Sequence, residues 1–161
     1  MKRLLSILAA IVFALQLVPY GRKHSNPPVL REPNWDSPAT AATFDAACAD
    51  CHSNQTRWPW YSFVAPASWL IQKDVDEGRA KFNVSEMGRA KNDADEAAEI
   101  VLSGEMPLKP YLPLHPEARL TPEQRRQFAA GLAATFGREG GHGGAGQGNE
   151  TEQEAEEAEG H

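Results

Sequence analysis

The residues with the clearest chemical potential in this chain are Cys48, Cys51 and His52. The two cysteines are the only ones in 161 residues, and the histidine directly follows the second. On a helical turn, residues i, i+3 and i+4 lie on one face. Both thiols could then reach the two vinyl groups of one porphyrin, and the imidazole could reach its iron. The spacing predicts covalent attachment of one c-type haem, with His52 as the proximal iron ligand.

Three other interpretations of the cysteine pair stay open. The thiols could form a structural disulfide. They could act as a thioredoxin-like dithiol, although that motif normally follows a strand in a βαβ unit and no strand pattern precedes Cys48. They could also supply half of a zinc site, although no second cysteine pair and no closely spaced histidine pair follows. We favour the haem interpretation.

The stretch behind the motif is rich in aromatic rings and proline. We expect Trp58, Trp60 and Tyr61 either to pack as ordinary core or to cover the proximal face of the porphyrin, because large rings bury much apolar area. A backbone carbonyl of this stretch could accept the Nδ1 proton of His52 and fix its tautomer. Arg57 could pair with a haem propionate or form a surface salt bridge.

The sequence from Cys48 to Tyr61 resembles the bacterial haem-binding domain family, which comprises small exported proteins related to c-type cytochromes. The CADCH pentapeptide is the part specific for haem, and the WPWY run is the part specific for this family. The resemblance extends from about Pro33 to Phe136. It implies a compact, mostly helical fold and haem binding, and it says little about a redox partner.

Further downstream, Met106 precedes a proline in a loop that resembles the sixth-ligand loop of small c-type cytochromes. A thioether is a soft, neutral ligand that favours ferrous iron and raises the reduction potential. Four prolines between residues 107 and 116 would hold the loop rigid. Met106 could instead fill a gap in the core. The competing ligands are His115, which would give bis-histidine ligation, and Met87. Tyr111 could hydrogen-bond a propionate or pack within the loop.

The N-terminal residues predict export. Lys2 and Arg3 precede an apolar run of 15 residues from Leu4 to Val18, which is shorter than the ~20 residues of a comfortable membrane span. No clear cleavage site follows. Residues 1–20 are therefore either a signal peptide or a retained inner-membrane anchor, and we favour the anchor. Either interpretation places the domain in the periplasm, in keeping with haem attachment outside the cytoplasm.

The remaining chain predicts one all-α domain. Residues 21–36 read as an extended, Pro-rich linker, and residues 37–137 as a cytochrome c-like helical domain wrapped around one haem. Ser37 and Thr121 are the predicted N-caps of its first and last helices, and Gly78 is the predicted end of its second helix. We expect a first helix from Pro38 through the cysteine motif to about Asn54, and further helices over residues 65–78, 92–104 and 122–136. The last helix should pack on the first, as the terminal helices do in cytochromes c.

Charge is concentrated at the C-terminus. Residues 138–161 contain seven acidic residues and one basic residue, and they account for the whole formal net charge of −6. They are rich in Gly and Glu and have no apolar periodicity, which predicts a disordered acidic tail. No basic face is concentrated in the rest of the chain, so a nucleic-acid partner is not expected.

These residues are compatible with two haem functions. If His52 and Met106 both bind the iron, the protein is a one-electron carrier with an unidentified redox partner. If the sixth site is open, the haem would suit a sensor or the binding of a small molecule. A third hypothesis, without haem, is a periplasmic thiol oxidoreductase that uses Cys48 and Cys51. We expect electron transfer and no enzymatic activity, because no catalytic base or nucleophile stands out.

Overall fold

A computed structural model describes residues 1–137 of the protein. Within these residues the regular elements are helical, and the only β-type pairing is a single bridge between Arg31 and Glu86. The predicted all-α class is confirmed. The predicted acidic tail, residues 138–161, lies outside the described residues. The α-helices, in chain order, are α1 Lys2–Leu15, α2 Pro38–Ala47, α3 Ala49–His52, α4 Ala67–Lys81, α5 Ala97–Ser103 and α6 Pro122–Phe136.

The first and last helices of the domain begin at the predicted caps and pack on each other. The Ser37 side chain accepts a hydrogen bond from the Thr40 backbone N–H at the start of α2. Thr121 and Gln124 form a reciprocal capping box at the start of α6. The two helices approach closely at Thr40 of α2 and Gly131 of α6. A Cβ atom added to Gly131 would lie 2.1 Å from the Thr40 hydroxyl oxygen. The predicted contact between the terminal helices is therefore confirmed.

The helix that was expected to run through the cysteine motif is broken at its first cysteine. Helix α2 ends at Ala47, and Cys48 adopts φ −131° before α3 begins at Ala49. The sequence did not indicate this break, because Ala-rich residues favour a continuous helix on both sides of it. The motif therefore lies on a separate helical turn whose direction is set by its packing on α4.

Gly78 does not end α4, as the sequence suggested, because the helix continues to Lys81. A Cβ at position 78 would lie 2.5 Å from the carbonyl oxygen of Cys51. The glycine is thus required for the close approach of α4 to α3, and not for a left-handed cap. A true left-handed glycine ends α5 at Gly104, with φ +81°, as predicted.

The core is built around aromatic rings from four parts of the chain. Phe44 of α2, Phe136 of α6 and Phe82, which follows α4, are buried, and the ring of Phe82 lies 5.9 Å and 5.8 Å from the other two. Trp35 covers the edge of this cluster, 5.0 Å from Phe44 and 5.7 Å from Phe136. Helices α5 and α6 pack along each other beside it, through buried Val101 and Leu132.

Residues 21–36 run as extended backbone along the surface of the domain. The Asn26 side chain donates to the Thr56 carbonyl, and the Asn54 side chain donates to the Pro28 carbonyl, both at 2.9 Å. The backbone N–H groups of Leu30 and Arg31 both donate to the Ser85 carbonyl. The predicted linker is therefore attached to the domain along much of its length.

Helix α1 buries none of its residues. Its end is nevertheless tied to the domain, because the Gln16 side chain exchanges hydrogen bonds of 2.9 Å and 3.0 Å with the backbone of Ala65. In residues 1–137, no helix has the length and apolarity needed to cross a membrane.

Candidate functional site

The cysteine motif opens onto a cavity of about 300 Å³. The cavity lies between α3, α4, α5 and the loop that follows α5, and most of its wall is apolar. Its wall carries the side chains of Cys48, Cys51, His52 and Met106, together with polar and charged side chains that include Asp50, Asp74 and Tyr111. The folded chain thus brings the predicted haem-attachment motif and the predicted sixth ligand to a single space.

His52 is buried and held by one backbone hydrogen bond. Its Nδ1 lies 3.1 Å from the carbonyl oxygen of Phe82, and its ring stacks on the Phe82 ring at 4.5 Å. Because a carbonyl can only accept, Nδ1 carries the proton and Nε2 keeps a lone pair for a metal. Burial lowers the pKa of His52, which favours the neutral imidazole that an iron ligand requires. The acceptor is Phe82, and not a carbonyl of the aromatic stretch as the sequence suggested.

Both cysteines are free and half-buried on the cavity wall. Burial, and secondarily the neighbouring thiol of Cys51, raises the pKa of Cys48 to about 12. Burial, followed by the negative charges of Asp74 and Asp50, raises the pKa of Cys51 to about 12 as well. Both thiols are therefore protonated at neutral pH. No group of three or more metal-ligating side chains occurs within residues 1–137, so a zinc site finds no support there.

Met106 reaches the cavity from a loop that is fixed at its start. The Arg125 guanidinium donates to the Val101 carbonyl at 3.0 Å and to the Met106 carbonyl at 3.5 Å. The Met106 side chain is half-buried and packs against the hydrophobic core. Arg125 therefore joins the end of α5 and the methionine loop to α6, which limits the positions that the thioether can take.

A comparison with known protein families indicates which cofactor this domain binds. Residues 10–134 match the family model described as the haem-binding domain. The chain belongs to the haem-binding domain family. The resemblance inferred from the CxxCH and WPWY motifs is thereby confirmed, and haem is the cofactor of this domain. No curated protein and no solved structure matches the chain.

The described residues of this haem-binding domain fit the cofactor. A porphyrin needs an apolar space, and the cavity is lined by Phe44, Phe82, Ile100, Leu108 and Leu132 among others. Its iron needs a neutral imidazole, and His52 is fixed in the required tautomer. The two thiols and the Met106 thioether lie on the same wall. The side chains needed to hold a haem are therefore present together at one site.

A buried carboxylate for which the sequence predicted no role is the acceptor of several hydrogen bonds near the cysteine motif. Asp50 is buried, and its Oδ1 accepts hydrogen bonds from the Arg57 backbone N–H at 2.9 Å and from the Arg57 side-chain Nε at 3.0 Å. Its Oδ2 accepts a hydrogen bond from the Tyr111 hydroxyl at 2.9 Å. The guanidinium of Arg57 also contacts Asp45. The only sequence feature that pointed to Asp50 was its position between the two cysteines.

None of the three aromatic residues proposed as haem contacts lines the cavity that carries His52. Trp58 stacks on His24 at 4.4 Å, and Trp60 is 78% exposed. Tyr61 lines a second cavity of about 310 Å³, and its hydroxyl lies 2.9 Å from Nε2 of His115. The two cavities adjoin, because both are lined by Asp50, Cys51, Asp74, Leu108 and Tyr111.

His115, the competing ligand, lies on that second cavity and not on the wall that carries His52. Its ring stacks on Tyr111 at 3.7 Å, and its Nδ1 lies 3.0 Å from a Glu117 carboxylate oxygen. Met87 packs against the core and does not line the cavity, and its sulfur lies 3.6 Å from the Asn92 side-chain amide nitrogen. Of the three candidate sixth ligands, Met106 alone lines the cavity that His52 lines.

Proposed function

We propose that the protein is a monohaem c-type cytochrome that transfers single electrons, with His52 and Met106 as the two axial ligands of the iron. The observation that supports this proposal is that the two side chains, 54 positions apart in the sequence, line the same apolar cavity. Two protein ligands would leave no free iron position, which suits electron transfer and opposes catalysis at the metal. We accordingly propose that the protein is not an enzyme.

Each residue of the proposed haem site would have a distinct role. A bound haem supplies a one-electron iron couple. Cys48 and Cys51 would hold its vinyl carbons through thioethers. Burial keeps the His52 imidazole neutral, and the Phe82 carbonyl orients it. The neutral thioether of Met106 would favour the ferrous state, and so would the apolar wall, because both disfavour additional positive charge on the iron.

Two alternatives make different demands on the same residues. A sensor or small-molecule-binding haem requires an open sixth site, and the position of Met106 on the cavity wall argues against it. A thiol oxidoreductase requires a reactive thiolate, which normally has a lowered pKa. Burial raises the pKa of both thiols to about 12, which is the opposite of what that chemistry needs.

We further propose that the domain works in the periplasm and is held at the inner membrane by α1. The support is the basic start at Lys2 and Arg3, the apolar helix that follows, and the exposure of that whole helix. Completion of a c-type haem outside the cytoplasm agrees with this location.

The first test combines intact mass with a reduced-minus-oxidised spectrum. The protein should be exported with its own N-terminus in a host that has a c-type maturation system. The expected result is a mass gain of one haem that survives denaturation, with sharp reduced bands. Cys48→Ala together with Cys51→Ala should abolish the covalent gain. Two titratable thiols in the wild type would discard the haem proposal in favour of the dithiol. The same mass reports whether residues 1–20 are kept.

The second test concerns the sixth ligand. Met106→Ala should remove the absorption band typical of iron–methionine in the oxidised protein and allow the ferrous form to bind carbon monoxide. Met87→Ala is the matched control, because it removes a thioether that packs on the core outside the cavity wall. Fast and complete carbon monoxide binding by the wild type would instead support the open-site alternative.

A further inference from the structure

The domain carries an exposed apolar patch formed by Trp60, Phe63 and Val64. These side chains are 78%, 56% and 45% exposed, and they lie within one short 3-10 helix and the residue after it. The ring partner of Trp60 is Tyr61, at 5.8 Å. Clustered large apolar side chains at a surface usually mark a contact with a partner or a membrane.

The apolar patch is tied directly to the end of α1. Ala65, the residue after Val64, exchanges two hydrogen bonds with the Gln16 side chain. Gly21 approaches so closely that a Cβ on it would lie 2.3 Å from the Ser68 carbonyl oxygen. His24 lies between the rings of Trp58 and Phe63, with the Phe63 centroid 4.2 Å away. The patch is therefore fixed beside the point where the apolar helix leaves the domain.

Charge at this point favours a lipid surface over a protein partner. Arg22 and Lys23 are exposed immediately after the apolar helix, and Arg22 bonds the Gln16 carbonyl at its end. Basic side chains beside an apolar segment are attracted by anionic lipid headgroups. Tryptophan is enriched at the boundary between the lipid tails and water, where its ring is buried and its N–H stays hydrated.

We propose that the apolar patch docks on the same bilayer that receives α1, with Trp60, Phe63 and Val64 at the level of the headgroups and Arg22 and Lys23 on anionic lipids. This inference rests on the proposed membrane attachment of α1. It adds a second point of contact, which would hold the haem-binding domain in one orientation on the membrane instead of leaving it free on a tether.

The test measures partitioning of the full-length haem protein onto vesicles of phosphatidylethanolamine and phosphatidylglycerol. The double variant Trp60→Ser with Val64→Ser should have a vesicle partition coefficient at least roughly tenfold lower than that of the wild type. Two apolar side chains would no longer enter the lipid. Leu102→Ser is the matched control. Leu102 is 54% exposed on α5, a helix that makes no contact with α1. It should partition like the wild type, and all three proteins should keep the same haem spectrum.

A second measurement reports the position of one side chain. Bromine-labelled lipid should quench the tryptophan fluorescence of the wild type. The variant Trp60→Phe should lack most of the fluorescence that this lipid quenches. Equal partitioning of the double variant and the wild type, or unchanged quenching in Trp60→Phe, would overturn the docking and leave α1 as the sole attachment. If the wild type does not bind the vesicles, the proposed membrane attachment through α1 is wrong as well. The haem spectrum tests the proposed electron-transfer function separately.

Discussion

The hydroxyl of Tyr111 donates a 2.9 Å hydrogen bond to Oδ2 of Asp50, across 61 positions of the sequence. Asp50 lies between the two cysteines of the CxxCH motif, and Tyr111 lies in the loop that carries Met106. Burial, and then the charge and hydrogen bond of Asp50, raises the pKa of Tyr111, so this hydroxyl keeps its proton at every ordinary pH. The bond joins α3 to the loop that follows α5, and both of its residues line the cavity that carries His52.

Tyr111→Phe should lower the free energy of unfolding by about 1–2 kcal/mol, because it removes a hydrogen bond to a charged acceptor while Arg57 still neutralises Asp50. It should also weaken the iron–methionine band, since the loop is no longer held against α3. Chemical denaturation and the oxidised spectrum measure the two effects. Tyr20→Phe, on an exposed tyrosine, is the control and should change neither. A variant with full stability and an unchanged band would contradict a role for this bond in holding the loop.

Gly78→Ala tests the close approach of α4 and α3. In a helix interior, Ala is ordinarily more stable than Gly by about 1 kcal/mol. Here the new Cβ would lie 2.5 Å from the Cys51 carbonyl oxygen, so we expect a loss of roughly 1–3 kcal/mol and less haem attached per chain. Gly88→Ala is the control, because its Cβ would meet no atom closer than 3.8 Å. A gain in stability for Gly78→Ala would show that the two helices can separate without cost.

The sequence predicted those parts of the site that depend on local spacing. Cys48, Cys51 and His52 were found because five consecutive residues carry the haem signature, and the caps at Ser37 and Thr121 were found because capping depends on three or four neighbouring residues. Met106 was predicted as the sixth ligand because of the proline beside it, and it lines the same cavity as His52. Its ligation of the iron stays a prediction.

The parts that were missed depend on contacts between distant residues. The carbonyl that orients His52 belongs to Phe82, 30 positions away, and no residue type marks a backbone acceptor. The role of Gly78 was misread because a glycine near a helix end usually forms a left-handed cap, whereas here the helix continues and its partner is Cys51. Such roles become visible only when the tertiary packing is known.

Asp74→Asn should stabilise the protein at neutral pH. Asp74 lies on the cavity wall beside Cys51, and burial raises its pKa, with a further increase from Glu77. A carboxyl whose pKa is raised on folding binds its proton more tightly in the folded state, so its ionisation costs stability as the pH rises. Because the group is partly exposed, the expected gain is less than about 1 kcal/mol.

The gain in stability from Asp74→Asn should disappear as the pH falls below about 4, because the carboxyl of Asp74 is then protonated in both the folded and the unfolded chain. Denaturation midpoints from acid to neutral pH measure it. Asp76→Asn is the control on the same helix, because its carboxylate is exposed and accepts a hydrogen bond from Gln72. A loss of stability for Asp74→Asn at neutral pH would mean that its charge has a favourable partner in the haem protein.

Removal of the haem should cost the domain most of its stability. Without haem, the mostly apolar wall of the cavity of about 300 Å³ is exposed to water, and the apolar burial that the porphyrin would supply is lost. A typical small domain has a net stability of only about 5–15 kcal/mol, so this loss is a large part of it. Cys48→Ala with Cys51→Ala, produced without haem, should therefore show no sharp cooperative transition in thermal or urea unfolding. Cys48→Ala alone keeps one attachment point and should retain such a transition. A haem-free chain that unfolds as cooperatively as the haem protein would show that the helices close the cavity unaided.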